Sequence, residues 1–275
     1  YPAWTVLYPA FEFPFHRVAS RIGMLALLVG FVLVARRLGL ADRASLGYSV
    51  PRPLFLRQMG IGIGVGVIVM LPVVATMVGL DLRDWKDGTS PDAATFAGLI
   101  VEGLLRGLAV AFIEETFIRG AMYTGIARES GPRVAIVLTS LVYSATHFFA
   151  RYRVPPELVT WSSGLDMLGG ILQAFANPLA IADAFICLFA VGVVLGMVRR
   201  ATGNIAACIG LHAGWVWVIT LVRETSVPDP GHEFAFLLSR FDGYVGWLVL
   251  AWTIGLGLVV YWFYARRNAA PARAG

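Results

Sequence analysis

The chain has 275 residues, of which 58% are hydrophobic and only 14% charged, and its formal net charge is +5. That composition excludes an ordinary water-soluble domain. Its Lys and Arg residues flank apolar runs without forming a basic patch interleaved with aromatics, so nucleic acid is not an expected partner. The expected class is all-α, a polytopic transmembrane helix bundle of seven to eight spans, with residues 1–275 forming one integral membrane domain and the lipid bilayer as its first partner.

In chain order, residues 1–16 are aromatic and contain proline, and lack the basic start of a signal peptide. Hydropathy places spans near Ser20–Val34, Met59–Leu80, Phe96–Ala127, Val134–Phe149, Leu179–Val198, Ile205–Val222 and Tyr244–Tyr264. The third is too long for one bilayer crossing. The stretch Ser162–Ala176, with Asp166, Gly169, Gly170 and Gln173, is short and polar and reads as interfacial or re-entrant, which leaves room for an eighth helix. Cys187 and Cys208 fall inside spans, where they serve as small apolar fillers.

Arginines cluster after alternate spans: Arg36, Arg37, Arg43, Arg52 and Arg57, then Arg128 and Arg133, then Arg199 and Arg200, then Arg266, Arg267 and Arg273. The intervening connections carry Asp81, Asp84, Asp87, Asp92, Asp229 and Glu233. By the positive-inside rule this alternation predicts a cytoplasmic C-terminus and seven crossings.

Against this apolar background stand Glu114, Glu115 and Arg119, then His147, then His212. A charged group at the centre of a spanning helix costs roughly 2.5–3.5 kcal/mol on insertion scales, so such a cluster predicts a polar interior site. Counting back from Ala127, Glu114 lies roughly 20 Å deep, and His147 lies equally deep in the next span beyond the Gly131-Pro132 turn. Glu115 and Arg119 are spaced to pair on one helix face. Glu114 points about 100° away from Glu115 and is free for a different partner. In these terms Glu114 with His147 can activate a water, and His212 can steady the negative charge that develops on an attacked carbonyl. Glu102 and Arg106 read as a structural pair near an interface, and His16 and His232 as surface residues.

Glu114-Glu115-x-x-x-Arg119, then Tyr143-x-x-x-His147, then His212 within Gly210-Leu211-His212-Ala213-Gly214-Trp215, resemble in order the three motifs of the CPBP family of intramembrane proteases, which includes CAAX prenyl endopeptidases. The resemblance covers a core of residues 95–220. It implies a bundle of about eight helices and a glutamate-dependent endopeptidase acting on a membrane-associated protein or peptide. Glu114 and His147 would activate water, Glu115 and Arg119 would support the site, and His212 would help bind the oxyanion. Two positions depart from the pattern. Tyr143 stands where the family usually has Phe, and Val216 stands where the third motif has Asn or Asp, leaving Asn204 or a backbone donor as the candidate replacement.

Other chemistries fit less well. Two His and two Glu are zinc-competent residue types, but His-Glu-x-x-His is absent and adjacent glutamates converge poorly on one ion, so no cofactor is expected. A Ser163–His212 dyad would need Ser163 embedded, and a proton-relay transporter would need paired, broken half-helices. The non-enzymatic alternative is a protease-like scaffold or immunity factor that binds a partner without cutting it, a reading to which Val216 lends weight.

Overall fold

The computed structural model describes residues 1–86, 93–148 and 154–269. Phe149, Asp87, Asp92 and Arg273, which entered the span and charge patterns, lie outside these residues. A short helix α1 (Pro2–Phe11) leads into α2 (Phe15–Arg37) and α3 (Arg52–Gly79). A three-residue strand β1 (Arg83–Trp85) precedes α4 (Ala93–Glu115), which passes through a π-helix (Thr116–Met122) into α5 (Tyr123–His147). Then come α6 (Ser163–Ile171), α7 (Ala182–Thr202), α8 (Ala206–Thr225), strand β2 (Ser226–Pro228) and α9 (Trp247–Ala269). Six continuous helical stretches are long and apolar enough to cross a membrane, and the protein is an integral membrane helix bundle.

One of those stretches, Ala93–His147, is 55 residues long and is two crossings, not one. Gly131 breaks it with φ 83° and ψ 164°, followed by Pro132, which cannot donate the helical hydrogen bond. The chain reverses there, because the Arg119 guanidinium carbon lies 4.5 Å from the centre of the Tyr143 ring. In a straight helix those residues would be about 36 Å apart. Among the described residues this gives seven helices of membrane-spanning length, the number of crossings that the charge alternation predicts.

An eighth is not formed by the described part of Ser162–Ala176. That stretch holds only the nine-residue α6 and a 3₁₀ turn, far short of a bilayer's thickness. Nearby Val159 and Met167 instead pack with Trp4, Phe15 and Val18 of the N-terminal helices, and Trp161 stacks on Tyr1. Leu165 and Leu168 remain exposed, as befits an interfacial helix.

Within a bilayer, lipid tails are as apolar as leucine, so helices associate by close packing and not by escape from water. The tightest packing surrounds α8. Gly62 and Gly66 of α3 face Gly210 and Gly214 of α8, each pair spaced by four residues. A Cβ placed at Gly214 would lie 2.7 Å from the Ile63 carbonyl oxygen, and one at Gly66 2.7 Å from that of Leu211. On another side, a Cβ at Gly107 of α4 would lie 2.6 Å from the Ala213 carbonyl oxygen. Side-chain-free contacts thus clamp α8 between α3 and α4. Gly192 of α7 meets Ser140 of α5 in the same way.

The two ends of the bundle differ. At the arginine-rich end, the 38–51 loop folds back over the π-helix: the Thr124 hydroxyl donates to the Ser45 carbonyl (2.8 Å), Arg128 to the Ser45 hydroxyl (2.7 Å), and Tyr48 and Thr116 share a hydroxyl hydrogen bond (2.6 Å). Hydrogen bonds from Ser45 hold the Asp42 carboxyl below its ordinary range. At the opposite end β1 and β2 pair antiparallel, with Asp84 opposite Val227. Arg83 binds the Ser226 side chain there and also reaches the Gly243 carbonyl.

Candidate active site

Glu115 ends α4, and its side chain is fully buried. Its Oε1 accepts from Arg119 Nη1 at 3.3 Å and lies 2.9 Å from His212 Nδ1. Arg119, equally buried, donates a second bond to the Gly192 carbonyl of α7 (3.3 Å) and lies over the Tyr143 ring of α5. One ion pair therefore binds α4, α5, α7 and α8 together. The intrahelical Glu115–Arg119 pair expected from sequence is present, and His212 completes it.

Between the two partners the backbone widens into the π-helix, which regular helical periodicity does not foretell. Gly120 accounts for part of it, since a Cβ there would lie 2.6 Å from the Leu46 carbonyl oxygen. The Thr116 hydroxyl donates to the Phe112 carbonyl (2.6 Å), and Arg199 of α7 donates its Nε to the Arg119 carbonyl (2.9 Å). Arg199 reads from sequence as a flanking topology charge, yet it is buried against the Tyr123 ring. Single-turn π segments recur at functional sites because they re-aim side chains.

Glu114 is half-buried, and its Oε2 lies 3.9 Å from His212 Nε2. One imidazole thus spans both carboxylates, with Nδ1 against Glu115 and Nε2 facing Glu114. The depth-matched partner expected for Glu114, His147, has no hydrogen bond or ion pair with it among the described residues. His147 Nδ1 is held by the Tyr143 carbonyl at 2.7 Å. Both imidazoles meet the Tyr143 ring edge-on, His147 at 4.6 Å and His212 at 5.8 Å between centroids.

A cavity of about 790 Å³ opens from these rings toward the β1–β2 end. It is lined by Tyr143, His147, His212, Trp215 and Val216, by apolar side chains of α3, α7 and α9, and by Arg223, Asp242 and Tyr244. Four buried polar atoms of α4, the π-helix and α8 lack a hydrogen-bond partner among the described residues: Glu114 Oε2, Glu115 Oε2, Arg119 Nε and Trp215 Nε1, of which only Trp215 belongs to a cavity-lining residue. Buried polar groups are normally satisfied, so unspent capacity in one place marks where water or a ligand is received.

Asn204 does not join them. It lies just before α8, with its amide donating to Gln58 Oε1 and the Thr202 carbonyl and its Oδ1 accepting from Ala206 N. It therefore cannot replace the side chain missing at Val216. Ser163, on the peripheral α6, holds the Thr160 amide and is far in the fold from α8. Among the described residues no group of three or more His, Cys, Asp or Glu is arranged to hold a metal ion. Glu115 Oε1 is already committed to a guanidinium and an imidazole, which suits an ion-pair role better than metal ligation.

Residues of the site that motif reading passes over are Arg199, Gly192 and Trp215. Trp215 had a signal in sequence: three residues beyond His212, it shares that helix face. Glu102 and Arg106 form the expected pair, at 2.6 Å and largely exposed, extended by Glu224 at 3.5 Å.

Residues 96–218, which contain Glu114, Glu115, Arg119, His147 and His212, match the family described as Type II CAAX prenyl endopeptidase Rce1-like. No solved structure matches the chain.

Proposed function

We propose, from the match of residues 96–218 to the Rce1-like CAAX endopeptidase family, that this membrane protein is an endopeptidase that hydrolyses a peptide bond of a membrane-associated protein or peptide, with Glu114 as general base. The observation that carries the reading is the placement of His212, which lines a large cavity, with its Nε2 3.9 Å from Glu114 Oε2. A water bonded to Glu114 and a carbonyl oxygen bonded to His212 then stand side by side, as attack requires.

In this reading Glu114 removes the proton as the water oxygen bonds to the carbonyl carbon, and His147 Nε2 helps orient that water. The carbonyl π electrons move to oxygen, where His212 Nε2–H donates to the oxyanion. Collapse breaks the C–N bond, and the proton on Glu114 passes to the leaving amine. In this reading His212 is the imidazolium, because it donates Nδ1–H to Glu115 as well as Nε2–H to the oxyanion; Glu115 holds the ring and Arg119 holds Glu115, so both are positioning residues. None of these steps routes through a metal.

The test uses purified protein in lipid nanodiscs with synthetic single-span peptides, with products read by mass spectrometry. Glu114→Gln is expected to lower kcat by about 10²–10⁴-fold, the range for loss of a general base, while thermal unfolding is little changed. Undiminished turnover would sink the assignment. A second reading, a scaffold that binds a membrane peptide without cutting it, is favoured by Val216. It predicts that wild type and E114Q bind the same peptides and cleave none.

A further inference from the structure

The departure at Val216 leaves the oxyanion with one side-chain donor, and a residue lining the cavity carries another. Trp215 is 7% exposed, and its Nε1 has no acceptor among the described residues. An unpaired buried donor costs about 1–3 kcal/mol, so an indole N–H without an acceptor beside a cavity has the capacity to take one from a bound group. Trp215 lines the same cavity as His212, Tyr143 and His147, one helical turn along α8 from His212. The clamping of α8 by α3 and α4 fixes its backbone. Neighbouring Trp217 also has an unpartnered Nε1, but its ring packs on Gly103 of α4 and does not line the cavity.

We propose that Trp215 Nε1 is a second hydrogen-bond donor to the oxygen of the scissile carbonyl, in place of the side chain absent at Val216. This rests on the endopeptidase reading. The indole gives up no proton: it donates one hydrogen bond that strengthens as charge moves onto oxygen, so its contribution falls on kcat more than on KM.

Trp215→Phe keeps an aromatic ring and removes the N–H. It is expected to lower kcat by about 100-fold, the scale for one oxyanion donor, with KM within about twofold of wild type. Trp217→Phe should leave both constants unchanged. Adding Val216→Asn to the W215F protein supplies an amide one residue along and should recover about tenfold of the lost kcat, a rescue that a purely structural role for Trp215 would not allow. If W215F fails to fold, benzothienylalanine at position 215, which keeps the fused ring and lacks the N–H, must give the same drop.

A cleaving wild type with W215F at full kcat, or a loss confined to KM, would overturn the assignment while leaving the endopeptidase reading intact. A wild type that cleaves nothing would overturn both.

Discussion

The two faces of α8 are built on opposite principles. Toward α3 and α4 it is stripped to backbone: Gly210, Ala213 and Gly214 meet Ile63, Gly66 and Gly107 with no side chain between. On another side it carries the bulkier His212, Trp215, Val216 and Ile219, which line the cavity. The first face fixes where the helix is, and the second leaves room for something else to arrive. In a bilayer, where apolar burial gives little helix–helix attraction, tight packing on one side lets the other side stay empty.

Substitutions on the two faces should therefore fail differently. The largest effect is expected at the ionic hinge between them. Glu115→Ala leaves Arg119 buried without its carboxylate, and losing one partner of a buried pair typically costs about 3–5 kcal/mol. Thermal unfolding in detergent should show that loss alongside lost activity, and an E115A protein of wild-type stability would show that the pair does not hold the bundle. Next, Gly214→Val places side-chain atoms against the Ile63 carbonyl, and overpacking of this kind costs about 1–3 kcal/mol. If G214V unfolds at the wild-type temperature, the tight wall is not what secures α8. The smallest change in stability is expected on the open side. Leu256 of α9 lines the cavity and is only half-buried, so Leu256→Ala should cost about 1 kcal/mol or less while shifting KM for apolar peptides. A large fall in stability there would mean that the cavity wall is part of the packed core.

The spans were legible in the sequence because insertion into hydrocarbon selects on composition, and composition survives any choice of packing. The reversal at Gly131-Pro132 was legible for a related reason, since a proline after a glycine at positive φ disrupts a helix in any environment. The Glu115–Arg119 pair followed from spacing along one helix. The link from His212 to Glu115 did not, because depth estimates from span ends carry an error of several residues and cannot choose between two imidazoles. Nor could the π-helix be read, as its cause lies in contacts from elsewhere: Leu46 against Gly120, and Arg199 on the Arg119 carbonyl. Arg199 itself looked like a topology signal because Arg beside a span usually is one. The glycines spaced by four on α3 and α8 were visible, but glycine is common in membrane helices, and only the facing pairs reveal the seam.

That bond from Arg199 bears on the order in which the protein is built. A widened helical turn in hydrocarbon loosens its own carbonyls from their usual partners, and bare carbonyls there are expensive. The donor that relieves the one at Arg119 sits on α7, some 80 positions later in the chain. So does the Gly192 carbonyl that receives Arg119, and the imidazole that joins Glu115 comes later still, on α8. During synthesis, α4 and α5 enter the membrane with none of these in place. The distorted turn that follows the two carboxylates therefore belongs to the finished bundle, and the contacts that hold it are complete only once α7 and α8 have joined α4 and α5.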